Sequence, residues 1–235
     1  MHLRAIFLHC QHYKIHLNPH KCVFCVGASR LLGFVVSKEG IQIDPLKVQA
    51  ILDFPAPSNL LQIQKLQGKA NFLRRFIPSY KEMAKGFTRL LKKGVPFHWD
   101  QVAQASFDVV KDTLVRVSLI YPPNYQNDYF LYIVAVETTI AMVLVQVEDG
   151  IEHPIYYLSH NLNDTEVKYS YIENLVLAAV QAIQIFRHYI LLRKNNNSFG
   201  LQPHELHLIT SIVGRKYSKC TVILQEFDLE FIKSK

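Results

Sequence analysis

Three runs of β-branched and aromatic residues, YFLYIVAV (129–136), TIAMVLVQV (139–147) and HPIYYLS (153–159), follow one another with only short polar breaks such as EDG between them. Runs of this kind read as strands, and breaks this short read as hairpin turns. The stretch behind them, YIENLVLAAVQAIQIFRHYILL (171–192), has the length and period of one long helix, with capping residues available between Asn163 and Ser170. LHLIT (206–210) reads as a fourth strand and EFDLEFIK (226–233) as a last one, with a short ambiguous segment between them. Three strands, a helix, a strand, a helix-like remnant and a strand require a mixed sheet with a long helix packed on it, α+β or α/β in class.

The first half is built differently. Leu3, Ile6, Phe7 and Cys10 fall on one helical face, which Asn18-Pro19 ends. KCVFCV (21–26) reads as a strand, LLGFVVS and IQI as a hairpin around the turn SKEG, and Asp44-Pro45 as the start of the helix LKVQAILDF. FPAPSN is a proline-punctuated linker in which Ser58 or Asn59 can cap the next helix. That helix carries Leu60, Ile63, Leu66, Ala70 and Leu73 on one stripe, with Lys65, Lys69 and Arg74 largely off it. YKEMAKGFTRLLKKG (80–94) and DQVAQASFDVVKDTLVRV (100–117) read as further helices, the second opening at Asp100, and YPPNYQND (121–128) as a joint.

Charge divides the chain in the same way. Residues 1–100 hold 15 Lys and Arg against 5 Asp and Glu, whereas the remainder holds 11 against 14. Clustered cations gain affinity for a polyanion by releasing its counterions, although a solvated basic face can also serve solubility alone. Four cysteines in 235 residues make no disulfide framework, which points to a reducing compartment. Cys22 and Cys25 form a single C-x-x-C near several histidines; core cysteines are the favoured reading over a zinc site. With no membrane-length apolar run and no signal peptide, the expectation is a soluble intracellular protein, cytoplasmic or nuclear, with no membrane partner.

Against this background IHLNPHKCVF and LLGFVVSKEGIQIDPLKVQAILDFPAPSNLLQIQKLQGKANFLRRFIP resemble the segment after the polymerase active site in reverse transcriptases of gypsy-type LTR retrotransposons. Asn18, Pro19, Lys21, Cys22, Leu32, Gly33, Phe34, Gly40, Gly68, Arg74, Arg75 and Phe76 stand at that pattern's places. IYYLSHNLNDTEVKYSYIENLVLAAV is similar to the retroelement RNase H-like domain. The resemblance implies the C-terminal part of a reverse-transcriptase palm with a primer-grip hairpin over 1–55, a helical thumb and connection over 56–124, and an RNase H-like domain over 125–235, incomplete near its end. It assigns Leu32, Gly33, Phe34 and Gly40 to the primer grip and the thumb to a template-primer duplex. Lys65, Lys69, Arg74 and Arg75 suit phosphate contact, which positions a duplex without reading its sequence, though such arginines also serve as packing stems.

Enzymes of that family place Mg²⁺ ions on clustered acids. This sequence has no Asp-Asp pair, and Asp44 is its first aspartate. Laid on the family pattern, IVAVE puts Val134 at the first RNase H metal position, ENLV puts Leu175 at the second, and Thr210-Ser211 puts Ser211 at the third. None of the three offers a carboxylate, and Mg²⁺ takes oxygen ligands. Glu137 and Glu173 remain as a residual pair or as ordinary surface acids. The expectation is therefore a chain without polymerase or nuclease turnover of its own and without a cofactor. At most it binds RNA–DNA or DNA duplex weakly and without sequence preference, with the rest of a Pol polyprotein as a further partner. The alternatives are a residual metal-dependent nuclease using Glu137 or Glu173, and a structural or functionless relic.

Overall fold

The computed structural model describes residues 3–116, 119–191 and 199–201. The chain opens with helix α1 (Leu3–His12), followed by three short strands, β1 (Ala28–Leu31), β2 (Phe34–Ser37) and β3 (Ile41–Ile43), in an antiparallel sheet of that order. No residue of α1 is buried, so its apolar face is present but uncovered by the described residues. KCVFCV is not a strand. The amides of Lys21 and Cys22 turn back to the Asn18 carbonyl, Cys25 takes φ +57°, and pairing starts only at Ala28. Nor are its cysteines core residues: Cys22 is half-buried and Cys25 exposed.

The β1–β2 connection is Leu32-Gly33, with φ of +51° and +83°. Both values suit the tight turns that match strand twist, but leucine is an unusual occupant of the first place. On the other turn Gly40 is required by crowding as well as by its φ of +147°. A Cβ there would come 2.8 Å from the Ile120 carbonyl oxygen, where Ile41 and Ile120 exchange backbone hydrogen bonds of 2.7 and 3.1 Å.

Asp44 caps α2 (Pro45–Leu52) through the Leu46 amide, and Asn59 caps α3 (Leu60–Leu73) through the Gln62 amide. Ile63, Leu66, Ala70 and Leu73 of the expected stripe are buried. Leu60 is not: at the first turn it overhangs the core edge, 42% exposed. The expected single helix over 80–94 is broken into α4 (Tyr80–Met83), α5 (Lys85–Thr88) and a 3₁₀ turn at Arg89–Leu91. Tyr80, Ala84, Phe87 and Leu90 all reach the interior. Gly86 then lies against α6 (Gln101–Arg116), where any Cβ would meet Ser106 and the Val102 carbonyl at about 2.5 Å. Asp100 caps α6 through Ala103 and pairs with Arg89. Ala103, Phe107, Val110 and Leu114 bury one stripe of α6, and Lys111 donates to the carbonyls of Leu52 and Phe54, tying α6 to the end of α2.

The second core is a sheet in the order β6-β5-β4-β7, from β4 (Tyr129–Val136), β5 (Thr139–Glu148), β6 (Ile151–Asn161) and β7 (Phe199–Leu201), with β7 parallel to β4 and the others antiparallel. The fourth strand expected at Leu206–Thr210 and the last at 226–233 lie outside the described residues. Helix α7 (Tyr171–Leu191) packs Val176, Ala178, Val180, Ala182, Ile183 and Phe186 against Tyr129, Leu131, Ile140, Met142 and Leu144. The two cores meet at β6. Tyr157 packs into the helical core, the Lys81 amide donates to Ser159 Oγ at 3.1 Å, Thr139 Oγ1 donates to Glu82 at 2.6 Å, and Lys85 Nζ donates to Thr138 Oγ1 at 2.6 Å. A cavity of about 720 Å³ remains along this junction, between β3, the end of α6 and β6.

The contrast within α3 is testable. Leu66→Ala is expected to destabilise the chain by about 2–5 kcal/mol in urea unfolding, and Leu60→Ala by no more than about 0.5 kcal/mol.

Candidate functional site

The positions that the family resemblance assigns to metal ligands come from β4 and α7. Along β4, Tyr129, Leu131, Ile133 and Ala135 contact the core under α7, so the alternate residues point the other way. Val134 is among these, paired with Ala141 and 55% exposed. Tyr132 shares that face. It donates to Glu152 across the sheet, and this hydrogen bond, with some burial, pushes the phenol up to about 12. Leu175, in contrast, is only 4% exposed. Ser211 lies outside the described residues.

Neither residual acid is placed for metal work. Glu137 is exposed at the β4–β5 turn. Glu173 closes a capping box at the start of α7: its carboxylate accepts the Ser170 amide at 2.8 Å, and Ser170 Oγ accepts the Glu173 amide at 3.3 Å. Among the described residues no three His, Cys, Asp or Glu side chains gather where one ion could bind. The donor set on the page, a valine and a buried leucine, does not fit Mg²⁺.

The four cations expected at a phosphate surface separate into three environments. Lys65 and Lys69 stand one turn apart on the exposed side of α3, with no ion pair among the described residues. Arg74 is half-buried in the 3₁₀ turn Arg74–Phe76, and its charge, after burial, helps hold the Lys81 ammonium below its usual range. Arg75 lies flat on an aromatic ring, its Cζ 4.2 Å from the centre of Phe34.

Gly68 was given no role from the sequence. It sits between the two lysines in mid-helix, exposed, with nothing within 4 Å of where a Cβ would be. A helix-interior glycine costs about 1 kcal/mol relative to alanine, and here no neighbouring side chain accounts for it. The signal was available in LQGKAN, since a glycine off the buried stripe opens a flat place on the helix surface. The hairpin tip is a second such place: Leu31 is 58% and Leu32 83% exposed. Behind the tip, Phe34 stacks on Phe72 of α3 at 4.3 Å.

Comparison with known proteins identifies what this arrangement resembles. Residues 99–196 match the RNase H-like domain found in reverse transcriptase. The retrovirus-related Pol polyprotein from transposon 297 of Drosophila melanogaster is 32% identical over 237 residues, covering 99% of this chain and 22% of that protein. The corresponding protein from transposon 412 is 28% identical over 99% of this chain and 19% of its own length. The transposon Tf2-3 polyprotein of Schizosaccharomyces pombe is 22% identical over 97% and 18%. This chain thus spans about a fifth of the length of these relatives.

Among solved structures, the foamy viral protease-reverse transcriptase in complex with dsDNA superposes with a TM-score of 0.73 at 18% identity, over 92% of this chain and 46% of that one. The same protein in complex with RNA/DNA hybrid gives 0.70 at 19%, over 89% and 29%. By sequence and by fold, the chain corresponds to a segment of a retrotransposon Pol polyprotein, carrying an RNase H-like domain of the reverse-transcriptase kind.

Proposed function

We propose that this segment, of the gypsy type, holds a nucleic-acid duplex by its backbone, weakly and without sequence preference, and performs no metal-dependent chemistry of its own. Residues 1–55 then supply the end of a palm with its primer grip (Leu32, Gly33, Phe34 and Gly40), 56–124 the thumb, and 125–235 an RNase H-like scaffold. The observation that carries the reading is the exposed side of α3, where two unpaired lysines flank an open glycine. Lysines at that spacing meet phosphates, and a glycine between them lets a sugar-phosphate edge approach the helix backbone. Half-buried Arg74 extends the same positive surface toward α4. The reading is supported by the nucleic acids named for the foamy viral structures, dsDNA and RNA/DNA hybrid. It also fits the excess of ten basic residues in the first hundred.

The remainder of a Pol polyprotein is the further partner. Leu3, Ile6, Phe7 and Leu8 of α1, with Val23, Phe24 and Val26 behind it, are all exposed, and an apolar surface of this kind is normally covered by protein.

Fluorescence anisotropy with labelled RNA–DNA hybrid, read against salt, tests the duplex contact. Changing Lys65 and Lys69 together to Gln should lower the magnitude of the slope of log K against log salt by roughly 0.9 per phosphate released. Gly68→Leu should weaken binding at least about tenfold while raising thermal stability by about 1 kcal/mol through helix propensity. Affinity indifferent to salt, or untouched by Gly68→Leu, would place the contact elsewhere or remove it.

The metal reading has its own check. Titration with MnCl₂, followed by electron paramagnetic resonance, is expected to show no saturable site. Cleavage of hybrid that requires Mn²⁺ and disappears in Glu137→Gln or Glu173→Gln would instead establish a residual nuclease.

A further inference from the structure

Arg75 is the member of the cationic set whose guanidinium rests on aromatic rings. Its Cζ lies 4.2 Å from the ring centre of Phe34 and 5.2 Å from that of Phe76, and its Nε is buried with no hydrogen-bond partner among the described residues. Phe34 belongs to β2, immediately behind the hairpin tip, and also stacks on Phe72 (4.3 Å, planes 15° apart) and on Phe76 (5.3 Å, 28°). Gly33 is in the same contact: a Cβ there would stand 3.2 Å from the Phe72 ring. The hairpin and α3 therefore touch through one aromatic stack closed by a cation.

A planar guanidinium is suited to this place because it is weakly hydrated and attracted to the negative face of a ring. Here the guanidinium meets the rings by its face and its Nε edge is buried, whereas an arginine gripping phosphate in the bidentate manner turns that edge toward the ligand. The stack also bears on the strain at the tip, since Leu32 keeps φ +51° while 83% exposed, and such a conformation persists only when the structure behind it holds it.

We infer that Arg75 is a positioning residue: it clamps Phe34 against the thumb and so fixes the Leu31–Leu32 tip relative to the Lys65–Lys69 face, without touching phosphate itself. The consequence for binding rests on the duplex reading above, whereas the clamp itself does not.

Two substitutions separate the possibilities. Arg75→Met keeps a long side chain able to lie on Phe34, and Arg75→Ala removes it. Hydrogen exchange without nucleic acid is expected to show the β1 and β2 amides exchanging roughly three- to fivefold faster in Arg75→Ala, with part of the protection restored in Arg75→Met, which keeps the packing on Phe34 without the charge. Circular-dichroism melting accompanies both, to confirm that the variants fold. With hybrid duplex, Arg75→Ala should lose affinity with the salt slope unchanged, and Arg75→Met should recover part of it. A slope lowered by about 0.9 in both variants would make Arg75 a phosphate ligand, and hairpin exchange unchanged in Arg75→Ala would remove the clamp; either result overturns the inference. If the unsubstituted chain fails to bind duplex, the proposed function falls, while the exchange measurement still decides the clamp.

Discussion

The structure depends on a polar seam at the rim of the sheet. Each core can bury its own apolar residues, but neither dictates where the other sits. That is set where α4 and α5 meet the β4–β5 turn and β6: Glu82 accepts from Thr139, Lys85 donates to Thr138, and the Lys81 amide donates to Ser159. Thr139 is 1% exposed, so if Glu82 moved away its hydroxyl would be left with only the long 3.5 Å contact to Asn161 and no water. Hydrogen bonds to charged groups are worth about 1.5–3 kcal/mol each, and directionality makes them better than apolar contact at fixing an orientation. The exposed lysine face of α3 and the second sheet are thereby held in a defined relation.

That relation bears on the absent acids. In the register of the family resemblance, Val134 stands three residues before the turn the seam grips, and Leu175 is buried. A carboxylate at position 175 would be desolvated without a metal ion to balance it, which is unfavourable, while leucine simply packs. Glu173 persists beside it for a different reason. It completes the first turn of α7 with Ser170, a role requiring a carboxylate or amide three residues after the cap and no metal. The Glu173 carboxylate thus has a structural role in local helix chemistry.

Much of this was legible in the residues because it is local. The strand run YFLYIVAV, the helix over 100–117 and the helix start at Asp44-Pro45 follow from period or turn chemistry and appear as read, while of the caps left open between Ser58 and Asn59, and between Asn163 and Ser170, the structure uses Asn59 and Ser170. What was not legible depends on distant partners. KCVFCV has the composition of a strand, but no neighbouring strand pairs with it. The helix over 80–94 breaks at Ala84 although Tyr80, Ala84 and Phe87 would share one face of a continuous rod, so the hydrophobic period carried no sign of the interruption. Arg75 and Lys65 look alike in a sequence; only the position of Phe34, forty-one residues earlier, separates a ring-bound guanidinium from an open ammonium.

Leu32 illustrates how such a design ages. A leucine in left-handed backbone geometry stores strain of order 1–3 kcal/mol, and the two short strands flanking it contain four residues each. The tip is accordingly the spring of the molecule: once the stack behind it loosens, the release of that torsion favours opening, so unravelling of the small sheet begins at the apex, where the Asp44 amide holds the Gly33 carbonyl, and runs back toward the Ser37–Gly40 turn.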